Sequence, residues 1–109
     1  MKAIHILLVE DNEGDIMLTT EALEEGKIAN KISIVKDGKH AIDFLNKKGG
    51  YENASLPDLV LLDINLPKKN GHEVLQYIKH AEALKQIPVI MLTTSSSEKD
   101  ILESYKNYV

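Results

Sequence analysis

The chain has 109 residues, which fits one domain with a single hydrophobic core. Its formal net charge of −4 disfavours a nucleic-acid surface, and its lack of Cys excludes disulfides, thiolate metal sites and Cys nucleophiles. No apolar stretch is long enough to span a membrane, and residues 1–3 lead directly into an apolar run rather than a signal peptide, so we expect a cytoplasmic protein without nucleic-acid or membrane partners.

In the first half of the chain, short apolar runs alternate with segments of helical period. The predicted elements are a strand, a helix, a second strand and a second helix, at residues 4–9, 15–25, 32–35 and 38 to about 49. This alternation is typical of an α/β fold, in which a parallel sheet carries helices on both faces.

The second half continues the alternation after a polar loop at residues 47–57. A third strand, 59–62, is apolar at every position, as expected for a strand buried on both faces. The remaining predicted elements are a helix around 74–78, a strand at 89–92 and a last helix that carries Ile101, Leu102 and Tyr105. We expect a flavodoxin-like, doubly wound parallel sheet with strand order 2-1-3-4-5.

Acidic residues follow two of the predicted strands. Glu10 and Asp11 come directly after the first strand, and Asp63 comes directly after the third. In a doubly wound sheet of this order, ligands bind beyond the carboxyl ends of strands one and three, so the three carboxylates are expected to meet, with Thr93 and Thr94 beside them. Close carboxylates repel, so such a group is tolerated only with a bound cation or by taking up a proton. Oxygen ligands without His or Cys favour Mg²⁺ or Mn²⁺ over zinc.

Three segments resemble the signatures of two-component receiver domains. They are Leu-Val-Glu-Asp-Asn at residues 8–12, Leu-Asp-Ile-Asn-Leu-Pro at 62–67 with Gly71, and Pro-Val-Ile-Met-Leu-Thr at 88–93. They occur in order and with suitable spacing over essentially the whole chain. The segments at 10–15 and 92–96, together with the loop at 50–57, most resemble the stand-alone regulators paired with phytochrome-type kinases.

The resemblance assigns a chemical role to each acidic residue. It implies that Asp63 is the phosphoacceptor and a metal ligand, that Asp11 binds Mg²⁺ directly, and that Glu10 contributes directly or through water. The backbone carbonyl of Asn65 would complete the protein ligands. The Thr93 hydroxyl would donate to the bound phosphoryl group and so couple phosphorylation to movement of the loop that follows.

Other residues are expected to tune this site. Asn65 and Ser95, two positions after Asp63 and Thr93, resemble the variable pair that controls dephosphorylation, and we group Thr94 with them as a switch residue. Tyr108 resembles the aromatic residue whose rotamer reports phosphorylation. Leu66 and Pro67 are expected to shape the loop over the pocket, where Gly71 would relieve backbone strain. The four His residues share no ligand spacing and are predicted to lie on the surface or at helix ends.

The C-terminus departs from the family pattern. The family carries a Lys at the end of a fifth strand, followed by a fifth helix, whereas this chain stops at Val109 with no Lys in the corresponding place after Thr93. We therefore expect residues 1–109 to form a single receiver domain that is C-terminally incomplete, with a short fifth strand and no fifth helix. Uncovered apolar surface would then favour a homodimer or a domain-swapped dimer.

The leading hypothesis is a phosphoacceptor response regulator that receives its phosphoryl group from a sensor histidine kinase and signals through protein contacts. Its only catalysis would be its own phosphoryl transfer and slow hydrolysis. One alternative is a truncated or engineered receiver that binds metal or partners without switching. A second alternative is an aspartyl-nucleophile phosphohydrolase, but such an enzyme carries Asp-x-Asp on its first strand, whereas residue 65, two positions after Asp63 on the third strand, is Asn. A third is a flavin or nucleotide binder, which would need a Gly- or Ser/Thr-rich loop after the first strand, where residues 10–15 are largely acidic.

Overall fold

The computed structural model describes residues 4–26, 31–64, 66 and 70–92. Within these ranges strands and helices alternate strictly. In chain order they are β1 His5–Val9, α1 Glu13–Glu25, β2 Lys31–Val35, α2 Gly38–Leu45, β3 Leu59–Asp63, α3 Gly71–His80 and β4 Val89–Leu92. The last predicted helix and the predicted fifth strand lie outside the described residues.

The four described strands form one parallel sheet in the order β2-β1-β3-β4. In the centre of the sheet, Val9 of β1 is paired with Val35 of β2 on one side and with Leu62 of β3 on the other. The chain moves outward to β2 and then crosses back to β3, so the strand order reverses between β1 and β3. The predicted doubly wound order is confirmed for these strands.

Helices cover both faces of the sheet. Along β1, Leu7 and Val9 point into the larger of two core clusters, whereas Ile6 and Leu8 point into the smaller one. The larger cluster includes buried residues of α2 and α3, namely Ala41, Phe44, Leu45, Val74 and Ile78, and the smaller cluster includes Ile16 of α1. A strand buried on both faces must be apolar throughout, which explains the continuous apolar runs. None of the described helices has the length and apolar character needed to cross a membrane.

Two predicted helix boundaries were wrong. Helix α1 begins at Glu13 rather than at residue 15, because the Asn12 side chain accepts a hydrogen bond from the Asp15 backbone N–H at 2.9 Å and so caps an earlier start. Helix α2 ends at Leu45 rather than near residue 49, because Lys47 has a φ of 57°, which the right-handed helix does not allow. Both boundaries depend on single backbone positions that hydrophobic periodicity does not report.

Candidate functional site

The residues that follow β1 and β3 meet at one edge of the sheet. The strand register places Glu10 beside Asp63. Backbone hydrogen bonds continue past both strand ends: the Glu10 N–H donates to the Val35 carbonyl and the Ile64 N–H donates to the Leu92 carbonyl, each at 3.0 Å. The sheet itself therefore holds the backbone on which these carboxylates are mounted.

Three carboxylates come together at this edge. One oxygen from each of Glu10, Asp11 and Asp63 lies within 4.8 Å of the others, and we call these three residues the acidic cluster. Glu10 and Asp63 are each 2% exposed, whereas Asp11 is exposed. The structure thus brings together the three acidic residues that the strand order predicts, with two of them buried and one open to solvent. In the described part of the chain no other group of His, Cys, Asp or Glu meets the same criterion.

The acidic cluster perturbs the ionisation of Glu10, one of its two buried members. The pKa of Glu10 is raised from 4.5 to about 7, chiefly by burial and further by the charge of Asp63 and a hydrogen bond between the two side chains. The Asn12 backbone N–H donates to Glu10 Oε2 at 3.1 Å and acts in the opposite direction, because it stabilises the charged form. A cation placed between these oxygens would restore the full negative charge of the cluster.

Asn12 is a site residue whose role the sequence analysis missed, although it falls in the first family signature. Its side chain caps α1 while its backbone N–H contacts Glu10. The sequence does contain a signal for the cap, because Asn followed three residues later by an acidic residue is typical of a helix start. The contact with Glu10 depends on the backbone conformation of residue 12 and has no such signal.

Gly71 allows helix α3 to lie against the end of β3. A Cβ atom at position 71 would lie 2.4 Å from the Asp63 carbonyl oxygen and 2.8 Å from the Ile64 Cα. The Gly71 N–H donates to the Ile64 carbonyl at 3.0 Å. We predicted that Gly71 relieves backbone strain, but it is not among the described residues with positive φ. Close approach of two backbone segments is the reason instead.

Several predicted site positions lie outside the described residues: Asn65, Thr93, Thr94, Ser95 and Tyr108. Their assigned roles in metal binding, phosphoryl binding and switching stay predictions. Leu66, which was expected to shape the loop over the pocket, is described; it is 8% exposed and belongs to the larger core cluster.

The prediction for the histidines was wrong at one position. His40 and His80 lie near helix ends and His72 is exposed, as expected. His5, however, is only 8% exposed. Its Nε2 lies 2.8 Å from Ser33 Oγ, and its backbone N–H donates to Asp58 Oδ2 at 2.9 Å. Ser33 and Asp58 are 28 and 53 positions away in sequence, so local pattern could not reveal these contacts.

The donor atoms of the acidic cluster fit a hard divalent cation. All three side chains offer carboxylate oxygens, which Mg²⁺ and Mn²⁺ prefer, and neither His nor Cys belongs to the group. The raised pKa of Glu10 shows that burial and neighbouring negative charge disfavour its ionised form, which is the condition that a bound cation relieves. Exposure of Asp11 leaves the cluster open on the side where water ligands of Mg²⁺ can remain.

The fold and the site together define a flavodoxin-like α/β domain with an oxygen-rich acidic site at its topological switch point. Comparison with known protein families identifies the kind of domain: the family model of the response regulator receiver domain matches residues 6–108. The chain belongs to this family of two-component signalling domains, as its three signatures predict.

Known proteins similar to this chain include two regulators. The chain is 49% identical over 104 residues to the response regulator Rcp1 of Synechocystis sp., a match that covers 95% of this chain and 71% of that protein. It is also 49% identical over 104 residues to the probable methanogenesis regulatory protein FilR2 of Methanothrix harundinacea, with 95% of this chain and 66% of that protein covered. The chain therefore spans about two thirds of the length of these relatives.

Solved structures show the same relationship. The phosphorylated cyanobacterial phytochrome response regulator RcpA matches with a TM-score of 0.81 and 49% identity, over 99% of this chain and 77% of that chain. The Mn²⁺-bound form of the response regulator Rcp1 matches with a TM-score of 0.80 and 48% identity, over 97% of this chain and 76% of that chain. These likenesses confirm the receiver fold and the resemblance to phytochrome-associated regulators.

Proposed function

We propose that this chain is a phosphoacceptor, phosphorylated on Asp63 by a sensor histidine kinase of the phytochrome type with Mg²⁺, and that it signals through protein contacts. The observation that carries the proposal is the acidic cluster, in which Asp63 lies within 4.8 Å of two further carboxylates at the switch point of the sheet. The similarity to a phosphorylated phytochrome response regulator supports both the modification and the class of kinase.

Asp63 is the nucleophile in this proposal. One of its carboxylate oxygens bonds to phosphorus while the bond between phosphorus and the nitrogen of the donor imidazole breaks. Asp63 is 2% exposed and ends a strand that is bonded on both sides, so its side chain starts from a fixed backbone position. Phosphoryl transfer requires positioning and charge neutralisation more than covalent help from other residues, and a buried strand end supplies the positioning.

Glu10, Asp11 and Asp63 are the residues that would hold Mg²⁺ or Mn²⁺. When bound, the cation supplies positive charge that neutralises the carboxylates and the phosphoryl oxygens. Asp11 is exposed, so its carboxylate can be reached from solvent. Glu10 is buried and would have to be ionised to act as a ligand. The same proposal includes the Asn65 carbonyl as a metal ligand and the Thr93 hydroxyl as a hydrogen-bond donor to the phosphoryl group.

Family membership favours the receiver interpretation over the phosphohydrolase and over the flavin or nucleotide binder. An experiment distinguishes the proposal from the remaining alternative, a receiver that binds metal or partners without switching. Intact mass is measured after incubation with Mg²⁺ and acetyl phosphate, for the native chain, Asp63→Asn and Asp43→Asn. Asp43 is a matched control because it lies on α2 and is paired with Lys39, away from the acidic cluster.

We expect a single labile phosphoryl adduct on the native chain and on Asp43→Asn, and none on Asp63→Asn. No adduct should form when EDTA is present in place of Mg²⁺. An adduct that persists in Asp63→Asn would show that another residue is the acceptor. Absence of any adduct while Mg²⁺ still binds would favour the receiver that does not switch.

The class of kinase is tested with two autophosphorylated donors, a phytochrome-type histidine kinase and an unrelated sensor kinase. Transfer of the labelled phosphoryl group to the native chain should be faster from the phytochrome-type kinase. Equal rates from both donors, with Asp63→Asn as the blank, would leave the phosphoacceptor role intact and contradict the phytochrome assignment.

A further inference from the structure

We propose that Asn12 is a positioning residue of the acidic cluster, because it joins the start of helix α1 to the carboxylate of Glu10. The inference rests on the proposed function, in which Glu10 contributes to the metal site. It assigns to Asn12 a task beyond capping a helix: its side chain fixes the backbone conformation from which its own N–H reaches Glu10.

The first observation is the cap itself. Asn12 has extended backbone angles, φ −86° and ψ 119°, as N-cap residues typically do. Its Oδ1 accepts a hydrogen bond from the Asp15 N–H at 2.9 Å, and its carbonyl accepts one from the Ile16 N–H at 2.9 Å. A Cβ atom at position 14 would lie 3.2 Å from Asn12 Oδ1, so Gly14 leaves room for the capping side chain. The backbone of residue 12 is thus fixed from its C-terminal side.

The second observation is the contact on the other side of the same residue. The Asn12 N–H donates to Glu10 Oε2 at 3.1 Å, and the Glu10 side chain is almost completely buried. A buried carboxylate depends on its hydrogen-bond donors for orientation, because water cannot replace them. The direction of this N–H is set by the backbone angles that the cap holds.

These two contacts make the orientation of a proposed metal ligand depend on a helix cap. Without the side chain of Asn12, the extended residue between the cluster and α1 can relax, and the Glu10 carboxylate loses a fixed donor. Changes to the groups that orient metal ligands typically weaken metal affinity by about 10–100-fold. We expect about tenfold here, because the effect passes through the backbone and reaches one ligand of three.

The test uses three variants and the binding of Mn²⁺, measured as the loss of the free-ion signal in electron paramagnetic resonance. Asn12→Ala removes the cap, Asn12→Ser keeps a side-chain oxygen that can cap, and Ile16→Val weakens the packing of α1 while leaving the cap in place. Asn12→Ala should bind Mn²⁺ about tenfold more weakly than the native chain. Asn12→Ser and Ile16→Val should remain within about twofold.

A purely structural cap gives a different result. Asn12→Ala would then lower the melting temperature as Ile16→Val does and would keep native Mn²⁺ affinity, which would overturn the proposal. Failure of the native chain to bind Mn²⁺ would contradict the proposed function itself. In that case hydrogen exchange of the residue 12 amide in metal-free protein decides: faster exchange in Asn12→Ala than in Asn12→Ser supports positioning, and equal exchange overturns it.

Discussion

Strand β1 carries a buried ionisable residue at each end, and the two ends behave differently. At the amino end, His5 is 8% exposed, with Ser33 Oγ 2.8 Å from its Nε2 and Ser55 Oγ 3.4 Å from its Nδ1. Burial lowers the pKa of His5, and the charge of Lys31 lowers it further. The Leu56 backbone and the charge of Asp58 act in the opposite direction, but the net effect favours the neutral imidazole, which has Ser33 and Ser55 as partners.

Directly after the carboxyl end, Glu10 is buried even more deeply, at 2% exposed, and has other carboxylates as neighbours. Burial, Asp63 and the wider acidic surroundings raise the pKa of Glu10 to about 7, against one backbone N–H that lowers it. Three carboxylate groups therefore lie close together at this end of the strand. The contrast shows that burial of a polar group does not by itself mark a functional site; a mismatch between the buried group and its surroundings does.

The largest expected effect is a loss of metal affinity, and it concerns only the carboxyl end of β1. Asp11→Asn removes the charge of the exposed member of the acidic cluster and should weaken Mg²⁺ binding by about 100-fold, because one of three charged ligands is lost. Titration calorimetry measures this affinity, with Asp43→Asn as the control of equal charge change. Equal Mg²⁺ affinity of the two variants would contradict a metal site at the carboxyl end of β1.

A second prediction concerns the stability of the metal-free protein at the carboxyl end. The pKa of Glu10 rises from 4.5 to about 7 on folding, so the folded state holds the proton more tightly, and stability is lost as the pH rises from 4.5 through 7. Glu10→Gln carries no charge at any of these pH values. In EDTA at pH 8 the variant should be more stable than the native chain by about 1–3 kcal/mol.

Urea unfolding at pH 8 and at pH 5 checks this prediction. The advantage of Glu10→Gln should shrink at pH 5, where the native Glu10 is mostly protonated. Addition of Mg²⁺ should stabilise the native chain more than the variant, because a ligand stabilises the state that binds it. A variant less stable than the native chain at pH 8 would mean that the charge of Glu10 is well accommodated without metal.

The smallest effect is expected at the amino end. The pKa of His5 is lowered from 6.5 on folding, so its contribution to stability is present above pH 6.5 and is lost as the pH falls below that value. His5→Gln keeps a polar group near Ser33 and does not titrate. The difference in unfolding free energy between the native chain and His5→Gln should therefore decrease between pH 7.5 and pH 5.5.

His72→Gln provides the matched control, because the same substitution is made there at an exposed position. A constant difference between the native chain and His5→Gln across this range would show that His5 takes up its proton as readily in the folded protein as in the unfolded chain. Burial would then shift the pKa of the ionisable group at only one end of β1, at Glu10.

Much of the fold and of the candidate site could be predicted from the sequence. The bounds of β4 agree with the prediction, and β1, β2 and β3 differ from it by one residue at one end each. Glu10, Asp11 and Asp63 were found because parallel strands end at a common edge, so strand order alone brings their carboxylates together. Hydrophobic periodicity and the residues at strand ends are local features, so they can be identified directly in the sequence.

Other features depend on contacts that no local pattern records. The need for Gly71 depends on the approach of α3 to the backbone of Asp63. His5 was assigned to the surface because its partners lie far away in the chain. Each of these errors concerns a position where a second segment, distant or differently folded, decides the environment.

Short motifs and hydrophobic periodicity were enough to identify the family, the alternation of strands and helices, and the three acidic residues of the site. Only the tertiary structure decided that Glu10 is buried against Asp63 with a raised pKa, that His5 is enclosed by hydroxyl groups, and that Asn12 joins a helix cap to the acidic cluster. Burial and hydrogen bonding arise from packing of segments far apart in sequence, so they exist only in the folded chain.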